Sequence, residues 1–138
     1  MNIDSIVKGI VLEHIKAGKS MEVYNSLGLD KLSCSVAIIK NVKSQKMGKK
    51  DIIKIDEDFE VNLDVLGYID PGITVSIIKE GKRVEKLNLA LPEKITNIEK
   101  CKNPRCITSI EQELDHIFYL ADEKQRIYRC IYCESKKA

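Results

Sequence analysis

Four cysteines lie in two close pairs, Cys101-Lys-Asn-Pro-Arg-Cys106 and Cys130-Ile-Tyr-Cys133, separated by 23 residues. Two such pairs are the spacing of a structural zinc site, because each short spacer lets one tight loop present two thiolates to the same ion. Asn103-Pro104 supplies the turn that the longer spacer needs, and the shorter spacer at Cys130 forms the usual knuckle. Zn²⁺ held by four thiolates carries a formal charge of about −2. Lys102, Arg105, Lys124 and Arg129 are near enough in sequence to offset it. With every coordination position filled by protein, no place is left for a reactive water, so the site reads as structural. Two disulfides, a redox dithiol or an iron–sulfur cluster use the same residue type. A redox Cys-x-x-Cys is expected to open a helix, whereas Cys130 follows strand-like Arg126-Ile-Tyr-Arg. His116 has no paired partner and reads as a surface or packing residue, and the fifth cysteine, Cys34, as a small buried hydrophobe in a core strand.

A second constellation is cationic. Lys40, Lys43, Lys46, Lys49, Lys50 and Lys54 fall within fifteen residues and are followed by the acidic run Asp56, Glu57, Asp58 and Glu60. Such a stretch is either a solvated hairpin face or a phosphate-binding surface, since clustered ammonium groups attract polyanions. Met47-Gly48-Lys49-Lys50 lacks the earlier glycine and the hydroxyl residue of a phosphate-binding loop. No nucleophile elbow, Ser-His-Asp spacing or His-Glu-x-x-His is present, and His14 and His116 are thin material for acid–base chemistry. The residues favour a non-enzymatic module that binds something anionic at one end and is stapled by metal at the other.

The elements that must position these groups differ between the two ends. Residues 9–15 and Val36–Ile39 read as core strands, the latter covered on both faces. Between them Ser20 is placed to cap a helix with Met21, Tyr24 and Leu27 on one face, ended by Gly28. Asp51–Ile55 reads as a strand, Asn62 as the cap of a second helix carrying Leu63 and Leu66, and Pro71-Gly72 as its stop. Ile73, Val75 and Ile77 alternate with polar residues; Lys79-Glu80-Gly81-Lys82 offers a turn, and Leu87 and Leu89 alternate again. This β-α-β-β-α-β-β order predicts an α+β fold, a ferredoxin-like sandwich with both helices on one face of an antiparallel sheet. Leu91-Pro92-Glu93-Lys94 reads as a hinge, giving domains 1–92 and 93–138. The second has too few large apolar side chains for a core and is expected to be a small all-β, zinc-ribbon-like unit held by its metal.

At 138 residues with 23 Lys and Arg against 21 Asp and Glu, the chain is too small for a large multidomain enzyme and too nearly neutral for a dedicated nucleic-acid binder. It has no apolar run long enough for a transmembrane helix, and its start, MNIDSIVKGI, lacks the features of a secretory signal. The expected compartment is the cytoplasm, where disulfides are rare. A zinc-ribbon nucleic-acid-binding protein using the lysine-rich hairpin is the alternative, although five Tyr, two Phe and no Trp offer few stacking platforms.

Four segments in register carry a family resemblance: Lys8-Gly9-Ile-Val-Leu-Glu-His14-Ile15, Met47-Gly48-Lys-Lys-Asp-Ile-Ile-Lys54-Ile55, Leu91-Pro92-Glu93-Lys94-Ile95 and the cysteine pattern. Over nearly the full length the chain resembles the regulatory chain of aspartate carbamoyltransferase. The resemblance implies a non-catalytic subunit in pyrimidine biosynthesis, with an N-terminal allosteric domain that binds CTP as inhibitor and ATP as activator. It also implies a zinc domain that docks on the catalytic chain, in an assembly of two catalytic trimers joined by three regulatory homodimers, with no nucleic-acid or membrane partner. Carried over by position, the nucleotide site would use Ile3, Asp4 and Ile6 of the N-terminal arm and Val11, Glu13 and His14 of the first strand. Lys54 and Lys86 would meet the phosphates, with Lys50 nearby and Ile78 against the base. Ser76 stands where better-known members have Asn, and Gly81 where they have Tyr, which leaves nucleotide preference and the sign of the response open.

Overall fold

The computed structural model describes residues 6–137, which form two compact units dividing between Ala90 and Leu91. The first is built from β1 (Gly9–Lys16), α1 (Ser20–Ser26), β2 (Val36–Ser44), β3 (Gly48–Ile55), α2 (Leu63–Ile69), β4 (Thr74–Lys79) and β5 (Lys82–Asn88). Its five strands are ordered β2-β3-β1-β4-β5, every neighbouring pair antiparallel. The first four are in ferredoxin-like order, and β5 adds a hairpin at one edge. The two-residue period of β3 sorts its side chains: Asp51, Ile53 and Ile55 are buried, while Lys50, Ile52 and Lys54 are half-buried on the opposite face. Leu12, Ile15, Val23, Leu66, Ile73 and Val75 complete the core with them, and α1 packs against α2 and β3.

Asn62 caps α2 as its position predicts, its side-chain oxygen accepting from the N–H groups of Asp64 and Val65 at 3.1 Å each. The cap of α1 is different. Lys19 occupies that position without a side-chain bond, and Ser20 is the first helical residue, fully buried. The buried residues of α1 are Ser20 and Val23, with Tyr24 and the capping Leu27 half-buried, so Met21 turns outward, as Leu63 does on α2. Val36–Ile39 is likewise only half-buried, because β2 is an edge strand paired on one side. Cys34 lies in the bend before β2, half-buried. Burial and the Glu57 carboxyl push its thiol pKa up. The β4–β5 turn places Glu80 at φ 52° and Gly81 at φ 76°, the conformation a two-residue hairpin demands, so Gly81 serves the turn. Gly9 meets another demand: a Cβ there would press into the carbonyl oxygen of Ile55.

Among the described residues, Asp51 is the buried charge of this unit. Its carboxylate accepts the N–H of Asn41 at 3.0 Å and that of Gly18 at 3.2 Å. Burial alone would raise its pKa, but these bonds, with Ser20 at the start of α1, outweigh it and hold the carboxyl below its ordinary value of about 3.8. A depressed carboxyl stabilises the fold at neutral pH, and that stability is lost as pH falls below the ordinary value and through the folded one. Asp51→Asn sets an amide donor against one of two backbone donors and is expected to cost about 1–3 kcal/mol at neutral pH. Denaturant unfolding measured down into acid should show the difference from wild type shrinking, and a constant difference would refute this account.

The second unit comprises β6 (Lys94–Thr96), a single-turn α3 (Ile107–Ile110), β7 (Ile117–Asp122) and β8 (Ile127–Cys130). The antiparallel sheet runs β6-β7-β8. Its large buried side chains are Ile95, Phe118 and Tyr128, and the Tyr128 hydroxyl donates to the Pro92 carbonyl at 2.6 Å. The helical turn after Cys106 departs from an all-β ribbon. Among the described residues no helix is long and apolar enough to cross a membrane.

Candidate functional site

The two cysteine loops converge. The Sγ atoms of Cys101, Cys106, Cys130 and Cys133 all lie within 4.8 Å of one another, with Cys101 to Cys133 at 3.6 Å and Cys106 to Cys130 at 3.7 Å. All four are free thiols, which removes the two-disulfide reading. A tetrahedral ion bonded to sulfur at about 2.3 Å requires sulfurs about 3.8 Å apart, so the donor set fits a four-thiolate metal centre. β8 delivers Cys130 and its knuckle delivers Cys133; the loop after β6 delivers Cys101, and Cys106 ends the turn that starts α3.

Neighbouring groups hold this arrangement. The Cys101 N–H donates to His116 Nδ1 at 3.2 Å, so the histidine read as a packing residue orients a metal loop. His116 is fixed in turn by Asn97, whose Oδ1 accepts the His116 N–H at 2.9 Å and whose own N–H donates to the His116 carbonyl at 2.7 Å. The Asn103 amide reaches Ser135 Oγ at 3.4 Å, and the Cys130 N–H donates to the Ser135 carbonyl at 3.0 Å. Burial raises the Cys130 thiol and takes Cys101 up to about 12. Burial also opposes ionisation of Cys133, but hydrogen bonds from Ser135, Asn103 and Cys101 prevail and bring it down to about 6. The partners Asn97, His116 and Ser135 carry no recognisable spacing; their nearness to the cysteines exists only after β7 and β8 pair.

In the first unit, the ladder aligns Lys54, Val11, Ser76 and Lys86 across four strands, all on the sheet face opposite Asp51 and Ile53. Glu13 pairs with Thr74, Ile78 with Gly9, and Lys50 with Lys16. His14 sits at the β1 bulge with φ 60°, its Nδ1 3.2 Å from Thr74 Oγ1. The structure therefore gathers Val11, Glu13, Lys54, Ile78 and Lys86 on one face, with His14 and Lys50 toward the end of β1. Ile6 is buried, and Ile3 and Asp4 lie outside the described residues. Ser76 Oγ, buried within the central row, has no hydrogen-bond partner among the described residues.

A sheet with a cationic face and a metal-stapled ribbon define a two-domain metal-binding chain of the binding, non-catalytic kind. A family model for the aspartate carbamoyltransferase regulatory chain, allosteric domain, matches residues 1–90, and one for the metal binding domain of the same chain matches residues 93–137. The chain belongs to the aspartate carbamoyltransferase regulatory chain family. It is 50% identical over 135 residues to the regulatory chain of Clostridium tetani (strain Massachusetts / E88), covering 97% of this chain and 94% of that one. Identity to the regulatory chain of Clostridium botulinum (strain Hall) is 49% over 134 residues, covering 97% and 92%. Against that of Bifidobacterium longum (strain NCC 2705) it is 40% over 136 residues, covering 99% and 98%.

Proposed function

We propose that this chain binds nucleoside triphosphates, CTP and ATP, on the β1–β3–β4–β5 face and passes their effect to the catalytic chain of aspartate carbamoyltransferase, controlling pyrimidine biosynthesis in the cytoplasm. The observation that carries this reading is the single row Lys54–Val11–Ser76–Lys86, which sets two ammonium groups at either side of an apolar and a hydroxyl residue. Ammonium groups supply charge-assisted bonds to phosphate oxygens, and the Glu13 carboxylate is placed to accept from ribose or base. Lys50, His14 and Ile78 extend the same site, and Ile3, Asp4 and Ile6 are assigned to it from the family pattern.

One structural zinc per chain, held by Cys101, Cys106, Cys130 and Cys133, stabilises residues 93–138 and supplies no reactive position. Support for docking on the catalytic chain comes from Ile107 and Ile110 of α3 and Ile131 and Tyr132 of the Cys130–Cys133 knuckle. These exposed apolar side chains flank metal ligands, so the ion that orders the loops also arranges the surface. Pairing of two regulatory chains is supported by the half-buried Val36–Ile39 on an open sheet edge. The effector acts by binding one quaternary state more tightly than another, with a coupling of about 1–3 kcal/mol.

Co-expression with the catalytic chain, followed by sizing and nucleotide titration of its activity, tests the whole reading. A metal-dependent complex whose activity shifts with CTP or ATP is expected, and Lys54→Gln with Lys86→Gln should abolish the shift without dissolving the complex. Absence of any complex sinks the docking. Steeply salt-dependent binding to generic DNA or RNA, with none to mononucleotides, would favour the nucleic-acid alternative.

A further inference from the structure

A cavity of about 780 Å³ opens where β1 ends, walled in part by His14, Lys16, Lys46, Thr74, Lys86 and Asn88. Its volume suits a small ligand. His14 and Lys86 belong to the nucleotide site already proposed; Lys16 and Lys46 do not. Lys16 is the last residue of β1 and pairs directly with Lys50 across the ladder, just as Lys43 pairs with Lys49 in the adjoining hairpin. Like charges directly opposite one another destabilise a sheet. Among the described residues Lys16, Lys46, Lys50 and Lys86 make no ion pair. The one carboxylate on the cavity wall, Asp70, is tied into its own loop by the Gly72 N–H at 2.9 Å.

Lys46 reaches the cavity from the β2–β3 turn, which is closed by the Met47 N–H donating to Ser44 Oγ at 3.1 Å. Along the face, Lys54 and Lys86 share the first row, Glu13, Thr74 and Asn88 the next, and Lys16 with Lys50 lies farther on in the same direction. An elongated anion laid from the first row toward the end of β1 would meet Lys54 and Lys86 at one end and Lys16 and Lys50 at the other, passing Glu13, Thr74 and Asn88 between them. His14 adds a polar ring to the wall, its Nδ1 3.2 Å from Thr74 Oγ1.

We propose that Lys16 and Lys46, on the wall of this cavity, are additional phosphate ligands of the nucleotide site, binding the outer phosphates of a ligand whose inner portion lies against Lys54 and Lys86. The inference rests on the nucleotide reading and adds to it the groups that select phosphate length. Both lysines are exposed, so their replacement does not touch the core.

The test is calorimetric titration of the metal-loaded full chain, as wild type and as Lys16→Gln, Lys46→Gln and Lys54→Gln, with CTP, CMP and inorganic tripolyphosphate. Losing one charge-assisted phosphate bond should weaken CTP and tripolyphosphate about tenfold in each of the first two variants. CMP should be unaffected by those two and weakened by Lys54→Gln. Unchanged affinity of Lys16→Gln and Lys46→Gln for both CTP and tripolyphosphate overturns the pocket, and a loss confined to Lys54→Gln would leave the nucleotide reading standing. Tripolyphosphate binding that needs Lys16 and Lys46, without nucleotide binding, supports the pocket and refutes the nucleotide reading. Failure of wild type to bind any of the three refutes both.

Discussion

Stripping the metal from the intact chain is expected to unfold residues 91–137 while the sheet unit stays folded. Among the described residues, the second unit buries only Ile95, Phe118 and Tyr128 as large side chains, besides three of its four cysteines and Thr108. That core cannot offset the entropy of ordering some forty residues, at roughly 1–2 kcal/mol of backbone cost each. Zinc binding at four-thiolate peptide sites is worth about 10–16 kcal/mol near neutral pH, and here that free energy is folding free energy. Limited proteolysis and amide hydrogen exchange before and after chelation are the readouts, with Cys106→Ser expected to reproduce the chelated pattern. Protection across residues 9–88 should persist in both. Full protection of β7 and β8 after metal removal, verified by elemental analysis, would show that the cysteines are not what holds this unit.

Phe118→Ala is expected to be the most damaging core change in the same unit, at about 3–5 kcal/mol. Phe118 is 1% exposed and occupies the middle strand, where it pairs with Ile95 on one side and Cys130 on the other. Truncation opens a void beside a metal ligand. Because metal binding and folding are linked, the cost should appear as weaker apparent metal affinity, by more than about a hundredfold for 3 kcal/mol. Competition with a chelator measures this directly. Ile110→Ala, at a side chain 65% exposed, should move the same midpoint by less than about 0.5 kcal/mol. Equal effects of the two substitutions would mean that Phe118 packs against nothing that matters.

The metal centre was legible because its chemistry is local in sequence: each cysteine pair is preset by its own short loop, and only two loops must meet. Strand order was legible for a related reason, since alternating runs separated by two helical segments admit few right-handed connections. Burial was harder to read. Met21 and Leu63 are apolar and helical yet point outward, while Leu66 is buried as its position predicts, because the stripe is set by what α1 and α2 pack against and not by composition. The apolar run Val36–Ile39 could not reveal that β3 would take the inner place and leave β2 at the edge. The roles of His116 and Ser135 depend on backbone groups, which are the same at every residue until the fold selects one. The nucleotide face was legible through the family pattern, and the pairing of Lys16 with Lys50 became visible only with the register.

Asp51 sits between Lys50 and Ile52 on β3, its side chain on the face away from the lysines. Its two oxygens grip the backbone at Gly18, where the chain enters α1, and at Asn41, inside the β2 bulge. Each oxygen takes a different backbone donor, so displacing β3 along its axis disturbs both bonds. The strand bearing Lys50 and Lys54 is therefore riveted at its midpoint to the loop entering α1 on one side and to the outermost strand on the other.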